Sequence, residues 1–166
     1  MIGNDIVDLA FARKESNWQR KGFLDKIFTP REKLLISNSQ NPETTVWNLW
    51  SRKEAAYKIY NRLTHKRAFI PKQLECFDLG IKNGVIYGKV ICYNVVYFTK
   101  TIISRDCVET NALLNPADFD KIKTIDSAKN IIKTNGIPNY FDSQNKILKP
   151  VSKTHHGRFE RVVGLS

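Results

Sequence analysis

The sequence lacks the marks of a disulfide-stapled protein and of a membrane-spanning one. It holds only three cysteines and no C-x-x-C pair, whereas disulfide frameworks use even numbers of cysteines. It has no run of about 20 apolar residues, the length that a transmembrane helix needs. Residues 1–8 carry two carboxylates and no basic side chain, so we expect no signal peptide. These absences predict a cytoplasmic protein with reduced cysteines and no membrane partner.

Glycine and proline are scarce, and the common nucleotide-binding motifs are missing. Eight glycines and six prolines among 166 residues exclude a collagen-like or low-complexity chain. The sequence has no Walker A loop, no G-x-G-x-x-G and no G-x-S-x-G pattern, so P-loop, Rossmann and α/β-hydrolase chemistry is not expected. Because 42% of its residues are hydrophobic, the chain can bury a core. Its length predicts one domain over residues 1–166.

Acidic residues are outnumbered in this chain. Lys and Arg total 27 against 16 Asp and Glu, which gives a net charge of +11. Such an excess predicts an anionic partner: nucleic acid, a membrane surface, a phosphorylated cofactor or an acidic protein. Since no run of five or more basic residues occurs, a basic nucleic-acid-binding tail is absent.

Hydrophobic periodicity and turn signals divide the chain into a helical first part and a strand-rich second part. Thr29, Pro30 and Glu32 form a capping box with proline at the first helical position. Asn83-Gly84 is a strong β-hairpin signal. The order of elements predicts an α+β fold, with an N-terminal strand and helices packed on an antiparallel sheet. The predicted elements are a strand at 2–9, helices at 16–27, 30–37 and 44–63, strands at 73–82, 85–93, 95–104 and 107–114, helical turns at 116–134, a polar loop at 139–150 and a last strand at 158–165.

The longest predicted helix, residues 44–63, has two faces that both contain large apolar side chains. One arc is apolar, as in any helix that packs on a core. The opposite arc holds Trp47, Trp50, Glu54 and Lys58. The tryptophans predict that Glu54 and Lys58 face a partly enclosed space. The alternative is an exposed i,i+4 ion pair, worth only about 0.2–0.5 kcal/mol.

Carboxylates near the first strand are candidate metal ligands. Asp5 and Asp8 lie near the end of that strand, and Glu54 lies on the long helix. Mg²⁺ binds one or two protein carboxylates and completes its shell with water and substrate phosphates. These residues are therefore candidate ligands for such a cation, with Lys58 placed to contact a phosphate. The alternative is that Asp5 only caps a turn or a helix.

Residues 152–157, SKTHHG, are a third candidate feature. The tandem histidines His155 and His156 lack a surrounding set of Cys and His, so a zinc site is not expected. A Ser/Thr-His-Gly turn before a strand can instead offer hydroxyl, imidazole and backbone N–H donors to a phosphate.

Four segments of the chain resemble motifs of the 4′-phosphopantetheinyl transferase superfamily, in particular its small holo-[acyl-carrier-protein] synthase branch. Residues 3–8, GNDIVD, are similar to the G-x-D-I-x-x motif, and residues 50–58, WSRKEAAYK, to (F/W)-(S/C/T)-x-K-E-(A/S)-x-x-K. Residues 23–32 resemble F-x-x-R-(I/V)-(L/F)-(T/S)-x-x-E, with lysine in place of the arginine. Residues 151–157 resemble S-x-S-H-(S/H)-G, with threonine for the second serine. The four segments follow the family order, which makes the resemblance specific.

The resemblance implies a phosphopantetheinyl transferase fold and a Mg²⁺-dependent transfer of 4′-phosphopantetheine from coenzyme A to a carrier-protein serine, with Mn²⁺ as a possible substitute. The product would be adenosine 3′,5′-bisphosphate. By position, Asp5, Glu54 and Lys58 would be catalytic, and Glu54, or a water that it orients, would be the base. The implied metal ligands are Asp5, Glu54 and Asp8, and the implied coenzyme A contacts are Lys58, Lys53, Thr154 and His155.

The resemblance also implies partners. Carrier proteins, such as those of fatty acid biosynthesis, are typically acidic, so basic residues of the first helices could dock one. The small branch forms homotrimers, which implies sites shared between subunits, with Asp5 and Glu54 from one and His155 from the next. No nucleic acid partner is expected. Two alternatives stay open, a basic α+β module that binds nucleic acid and a homologue that binds coenzyme A without transferring it. The predicted docking residues are Arg13, Lys14, Arg20, Lys21 and Lys26.

Overall fold

The computed structural model describes residues 1–125, 130–134, 136–143 and 146–166. Within these residues, helices precede most of the strands, and a short 3₁₀ helix covers Pro116–Lys121. No helix in the described ranges is both long and apolar enough to cross a bilayer. The helices are α1 (Leu9–Glu15), α2 (Phe23–Ile27), α3 (Pro30–Ser37) and α4 (Pro42–Thr64); the strands are β1 (Ile2–Asp8), β2 (Glu75–Lys82), β3 (Val85–Cys92), β4 (Val95–Ile103), β5 (Cys107–Leu113), β6 (Ile122–Thr124), β7 (Ile131–Thr134), β8 (Ile137–Asp142), β9 (Ile147–His156) and β10 (Phe159–Leu165).

The strands form two five-stranded sheets in which all pairings are antiparallel. The N-terminal sheet has the strand order β1-β5-β4-β3-β2, and the C-terminal sheet has the order β6-β10-β9-β8-β7. Among the described residues, β1 pairs only with β5, and in this pairing Asp5 lies opposite Thr110. β1 is therefore an edge strand, with one side left for contact with the C-terminal sheet. Helices with separate antiparallel sheets confirm the predicted α+β class.

Helix α4 packs on the N-terminal sheet and positions the residues that the sequence singled out. Its buried Leu49 and Ile59 belong to the same core as Val108 of β5. Gly3 of β1 permits a close approach, because a Cβ at this position would collide with the carbonyl oxygen of Ala55. Strand and helix therefore lie side by side, and the middle of β1 faces the middle of α4.

The two sheets meet along what we call the β1–β9 seam, formed by residues 4, 6 and 8 of β1 with residues 152, 154 and 156 of β9. Three backbone N–H groups of β1 donate to three side chains of β9, each 148 residues away. The seam thus satisfies the N–H groups of an edge strand without a second backbone ladder. The pairs are Asn4 N–H to Ser152 Oγ (2.9 Å), Ile6 N–H to Thr154 Oγ1 (3.3 Å) and Asp8 N–H to His156 Nδ1 (2.9 Å).

Most of the predicted elements are confirmed. The first strand, the long helix, the hairpin at Asn83-Gly84, the two strands after it and the last strand all occur. The capping box is also present: Glu32 N–H donates to Thr29 Oγ1, and Thr29 N–H donates to the Glu32 carboxylate. Local sequence signals were sufficient to predict these elements, in which the hydrophobic pattern is regular.

The prediction of one helix over residues 16–27 is wrong. Helix α1 starts earlier, at Leu9, because the Asp8 carboxylate accepts hydrogen bonds from the N–H groups of Ala10 and Phe11. Helix α2 starts only at Phe23, after Gly22 with a φ of 81°. A left-handed residue interrupts a helix, and glycine adopts that conformation at little cost.

The prediction of helical turns at 116–134 holds only for the 3₁₀ helix, and the prediction of a loop at 139–150 is wrong. Strands β6, β7, β8 and the start of β9 occupy these stretches. Residues 126–129, within the first stretch, and residues 144–145, within the second, lie outside the described residues. Side chains of β7 and β8 are half-buried or exposed, so the sequence carries no apolar alternation that would indicate strands.

Candidate active site

The Asp5 carboxylate lies between α4 and β9. Thr154 Oγ1 donates a hydrogen bond to Asp5 Oδ1 at 3.1 Å, and Lys58 Nζ lies 3.6 Å from the same oxygen. Lys58 also donates to the carbonyl oxygen of Asn4 at 2.5 Å. Burial raises the pKa of Asp5, although Lys58 and the Thr154 hydroxyl act in the opposite direction. Asp5 is thus a poorly hydrated carboxylate with one cation beside it.

Glu54 provides a second carboxylate one helical turn before Lys58. Burial and the charge of Asp5, opposed in part by Lys58, together raise the pKa of Glu54 to about 7. Burial therefore disfavours the ionised form of both acids, and the two carboxylates repel each other when both are ionised. A divalent cation would relieve both penalties, and carboxylate oxygens are the ligands that Mg²⁺ prefers. The donor set at Asp5 and Glu54 therefore fits such an ion.

Two cavities adjoin these residues. A cavity of about 370 Å³, the aromatic cavity, is lined by Asp5, Glu54 and His155 together with four aromatic side chains. Its cations are Arg20 and Lys26. Burial among aromatic rings explains why both acids are poorly solvated. The aromatic residues of this cavity are Phe23, Trp47, Trp50 and Phe69.

A second cavity, the basic cavity, has a volume of about 320 Å³ and lies between α4 and strands β7, β8 and β9. Its described lining residues include two cations from α4, one from β7 and one from β9, and no acidic side chain. His155 lines both cavities. Such a cavity can hold several phosphate oxygens. The cations are Lys58, Arg62, Lys133 and Lys153.

Arg62 and Lys133 were not singled out in the sequence, whereas Lys153 belongs to the candidate segment 152–157. Arg62 follows Lys58 by four residues, so helical spacing alone places both on one face. It donates to the carbonyl oxygens of Pro138 and Val151, at 2.8 and 2.6 Å, and so ties α4 to the C-terminal sheet. Lys133 lies in a stretch predicted as helical turns, and no feature of the sequence indicated that it lines this cavity.

Asp8 has partners of its own, away from the two cavities. Its oxygens accept from the start of α1 and from Arg158, with Nε–Oδ2 at 2.8 Å and Nη2–Oδ1 at 3.0 Å. These hydrogen bonds from Arg158 hold the pKa of Asp8 well below its usual range. Asp8 lines neither the aromatic nor the basic cavity. The structure therefore does not bring Asp8 to the Asp5–Glu54 pair, and its predicted role as a metal ligand gains no support.

The predicted contact of Lys53 with coenzyme A gains no support from the structure. Its side chain is only 1% exposed, and its ammonium lies 2.8 Å from the Glu32 carboxylate. It also donates to the carbonyl oxygens of Pro71 and Leu74. All three N–H groups of this ammonium thus have protein partners. The residue adjoins Glu54 in sequence, yet it points into the core between α3 and β2.

Thr154 and His155 alternate in orientation, as neighbours in a strand do. The Thr154 hydroxyl accepts from Ile6 N–H and donates to Asp5, and its side chain is buried. His155 is exposed and lines both cavities. Because Asp5, Glu54 and His155 line one cavity of a single chain, a second subunit is not needed to bring them together. Among the described residues, no group of three or more His, Cys, Asp or Glu could hold a metal ion.

Comparisons with known proteins agree with the sequence motifs. A family model described as "4'-phosphopantetheinyl transferase superfamily" matches residues 1–95. Holo-[acyl-carrier-protein] synthases of Campylobacter jejuni subsp. jejuni serotype O:23/36 (strain 81-176) and of C. jejuni subsp. doylei are each 39% identical over 57 residues. These alignments cover 34% of this chain and 46% of each relative, so the chain spans less than half of their length.

A solved structure is also similar to this chain. It is titled as an apo-ACPS structure from "Chronobacterium ammoiniagenes", and the sequence identity is 15% with a TM-score of 0.48. The match covers 68% of this chain and 93% of that one.

Proposed function

We propose a function from one premise, namely that this chain belongs to the 4′-phosphopantetheinyl transferase superfamily. The proposal is that it transfers 4′-phosphopantetheine from coenzyme A to a serine of an apo carrier protein, which leaves adenosine 3′,5′-bisphosphate. The observation that carries it is the pair of partly buried carboxylates, Asp5 and Glu54, which lie beside Lys58 and line the aromatic cavity next to the basic one. The proposed reaction needs a site for a hard cation, a site for a polyanion and an apolar site close to one another.

Asp5 and Glu54 would hold Mg²⁺, with Mn²⁺ as a possible substitute. Both carboxyls have raised pKa values because of burial, and the charge of Asp5 adds to the effect at Glu54. When bound there, the cation would offset the negative charge that develops on the phosphate oxygens during transfer. Asp8 is left out of this ligand set, since Arg158 and the start of α1 already use its oxygens.

The basic cavity would bind the phosphates of coenzyme A. Lys58 stands at the end of this cavity that is nearest to Asp5, and Arg62 lies one turn farther along α4. His155 lies where the two cavities adjoin. These cations would orient the pyrophosphate so that its β-phosphorus faces the aromatic cavity, and positioning is a main source of rate in phosphoryl transfer.

The carrier-protein serine would approach from the aromatic cavity. Its hydroxyl oxygen would form a bond to the β-phosphorus of coenzyme A while the bond from that phosphorus to the bridging oxygen breaks. The hydroxyl proton would pass to Glu54 or to a water that Glu54 orients.

The rim of the aromatic cavity is suited to an acidic carrier protein. Lys26 lies 5.2 Å from the ring centre of Phe69, which is 63% exposed, and Arg20 lies 5.4 Å from that of Phe23. Cations over exposed rings offer a partner both charge and apolar contact. Arg13, by contrast, already pairs with Glu43 at 3.0 Å, so we place the docking contact at Arg20 and Lys26.

The decisive experiment is intact-mass analysis of an apo acyl carrier protein incubated with this protein, coenzyme A and Mg²⁺. We expect the carrier to gain the mass of one phosphopantetheine, and the gain to disappear with EDTA. Glu54→Gln should abolish the gain while circular dichroism shows an intact fold. Asp118→Asn is the matched control, because it removes a carboxylate from a surface pair with Lys121; this variant should transfer normally.

Failure of transfer would be informative. If several carrier proteins stay unmodified, calorimetric titration of coenzyme A with Mg²⁺ separates the alternatives. Binding without transfer would indicate a homologue that only binds coenzyme A. No binding, with high absorbance at 260 nm in the purified protein, would favour the nucleic-acid-binding alternative. Near-normal turnover by Glu54→Gln would remove Glu54 from the mechanism.

Homotrimer formation remains a prediction. Since one chain brings Asp5, Glu54 and His155 to the same cavity, we expect loss of assembly to leave these three residues together. Sedimentation equilibrium at several concentrations would give the mass in solution, and a monomer mass of 19.2 kDa would contradict the trimer.

A further inference from the structure

In the middle of the β1–β9 seam, the Thr154 hydroxyl accepts a hydrogen bond from Ile6 N–H and so joins the two sheets. The same hydroxyl also contacts the Asp5 carboxylate. We propose that Thr154 is a positioning residue, which fixes the Asp5 carboxylate in the orientation that binds the cation. This inference rests on the proposed function, and it adds to the sequence-based prediction that Thr154 contacts coenzyme A, since Thr154 also lines the basic cavity. The observation is that one hydroxyl both accepts from Ile6 N–H and donates to Asp5 Oδ1.

The direction of the Thr154 hydroxyl proton follows from its partners. A hydroxyl has one proton and two lone pairs. Ile6 N–H can only donate, so the Thr154 oxygen accepts there, at 3.3 Å. The one proton is then free for Asp5 Oδ1, at 3.1 Å. Only 6% of Thr154 is exposed, where it lines the basic cavity, and Asp5 Oδ1 is the protein acceptor that this proton reaches.

Lys58 is another polar partner of Asp5, and its position shows why the contact from Thr154 matters. Lys58 Nζ lies 3.6 Å from the same Oδ1, longer than a good charge-assisted hydrogen bond. Without the Thr154 donor, the carboxylate could turn to meet Lys58 directly. That closer ion pair would compete with a divalent cation for Asp5, and it would remove Lys58 from the phosphates of coenzyme A. Thr154 thus keeps the two charges apart.

The chain offers a matched control at Thr101. This residue is also buried in a β-strand, and its hydroxyl hydrogen-bonds to Thr110 Oγ1 at 2.9 Å. It lines neither cavity. Thr101→Val and Thr154→Val therefore remove the same group, each from a buried hydrogen bond. Only Thr154→Val also removes a donor from Asp5.

The experiment measures Mn²⁺ binding rather than turnover. Free Mn²⁺ is followed by its electron paramagnetic resonance signal during titration of the full chain, with and without coenzyme A. We expect Thr154→Val to raise the Mn²⁺ Kd by about 10-fold or more, because outer-shell partners of metal ligands typically contribute 10–100-fold in affinity. Thr154→Ser keeps the donor and should bind within about 2-fold of the parent protein, and Thr101→Val should match the parent.

The outcomes separate this inference from the proposed function. If the parent protein binds Mn²⁺ and Thr154→Val binds it equally well, the positioning role is wrong while the proposed function stands. If the parent binds no Mn²⁺ with or without coenzyme A, the cation pair itself is wrong, and both fall. Should Thr154→Val fail to fold, Thr154→Cys takes its place, because a thiol is a weak donor of similar size; parent-like affinity in that variant would likewise overturn the inference.

Discussion

The two sheets of this protein are held in place in different ways. The N-terminal sheet packs under α4 with a continuous apolar core, and even its buried charges have partners, as in the Lys53–Glu32 pair. The C-terminal sheet has few buried side chains outside β9 and β10. It is attached through the β1–β9 seam, through Arg62 and through a small apolar cluster that joins Ile2 and Leu113 to Val163. The N-terminal sheet and α4 position the two carboxylates, and the C-terminal sheet contributes cations to the basic cavity.

The largest effect should come from breaking the charged core of the N-terminal region. Lys53→Ala leaves the carboxylate of Glu32 buried without its cation, and we expect the free energy of unfolding to fall by about 3–5 kcal/mol. Urea denaturation followed by circular dichroism measures this. Lys121→Ala, which breaks an exposed pair with Asp118, should cost only about 0–1 kcal/mol.

The cause of that loss can be tested with a double variant. Lys53→Met together with Glu32→Gln removes both charges, while the Gln side chain can still complete the capping box. We expect it to regain much of the stability that Lys53→Ala loses, because no isolated charge is then buried. A Lys53→Ala protein as stable as the Lys121→Ala protein would mean that the core does not depend on this pair.

A smaller effect should follow at the attachment of the C-terminal sheet. Arg62→Ala removes hydrogen bonds from a guanidinium to Pro138 and Val151, with an expected cost of about 2 kcal/mol in stability. It also removes a cation from the basic cavity, so the KM for coenzyme A should rise about 10-fold. Lys66→Ala is the control, because Lys66 is exposed and lines neither cavity.

The two readouts distinguish the roles of Arg62. If Arg62→Ala is destabilised but keeps its KM for coenzyme A, the residue only attaches the sheet. If the KM rises without loss of stability, the seam and the apolar cluster of Ile2, Leu113 and Val163 suffice for attachment.

The pH dependence of stability should differ between the two carboxylates of β1. Hydrogen bonds from Arg158 depress the pKa of Asp8, so this residue stabilises the fold above its unfolded pKa of about 3.9, and the contribution is lost as the pH falls toward the folded pKa. Burial raises the pKa of Asp5, so its ionisation acts in the opposite direction.

Arg158→Ala provides the measurement. We expect its urea midpoint to lie below that of the parent protein at pH 6, and the difference to shrink as the pH is lowered from 5 to 3. Asp8 is the cause if Asp8→Asn abolishes the pH dependence of that difference. A difference that stays constant over this range would show that Arg158 acts through other contacts.

The smallest expected effect concerns the carrier protein. If Arg20 and Lys26 dock an acidic partner, the KM for the carrier should rise several-fold between low and physiological salt, since exposed charges are screened over a Debye length of about 8 Å at 0.15 M. The KM for coenzyme A should rise less, because its phosphates lie within a cavity. Equal salt dependence of the two KM values would argue against docking at this rim.

Sequence patterns predicted the parts of the structure that depend on local or periodic signals. The capping box at Thr29 and the hairpin at Asn83-Gly84 are confirmed because neighbouring residues determine them. The placement of Asp5 near Glu54 and Lys58 followed from motifs on a strand and a helix. Their roles in metal binding and catalysis stay predictions.

Contacts between distant segments could not be predicted in this way. The helical pattern of α4 gave no sign that Lys53 turns to Glu32 of α3, whereas Glu54 faces the aromatic cavity. Nor could it show that Asp8 pairs with Arg158, 150 residues away. Strands β7 and β8 escaped detection because their side chains lack a buried face.

The β1–β9 seam has a consequence for the order of events during synthesis. Its partners are separated by 148 residues, and contacts of high sequence separation form late. While the ribosome has made only the N-terminal sheet, β1 carries unpaired edge N–H groups, the kind of surface that invites aggregation or a chaperone. The hydrogen bond from Thr154 to Asp5 likewise forms only after β9 has emerged. The seam thus leaves the surroundings of Asp5 incomplete until residues 147–156 have left the ribosome.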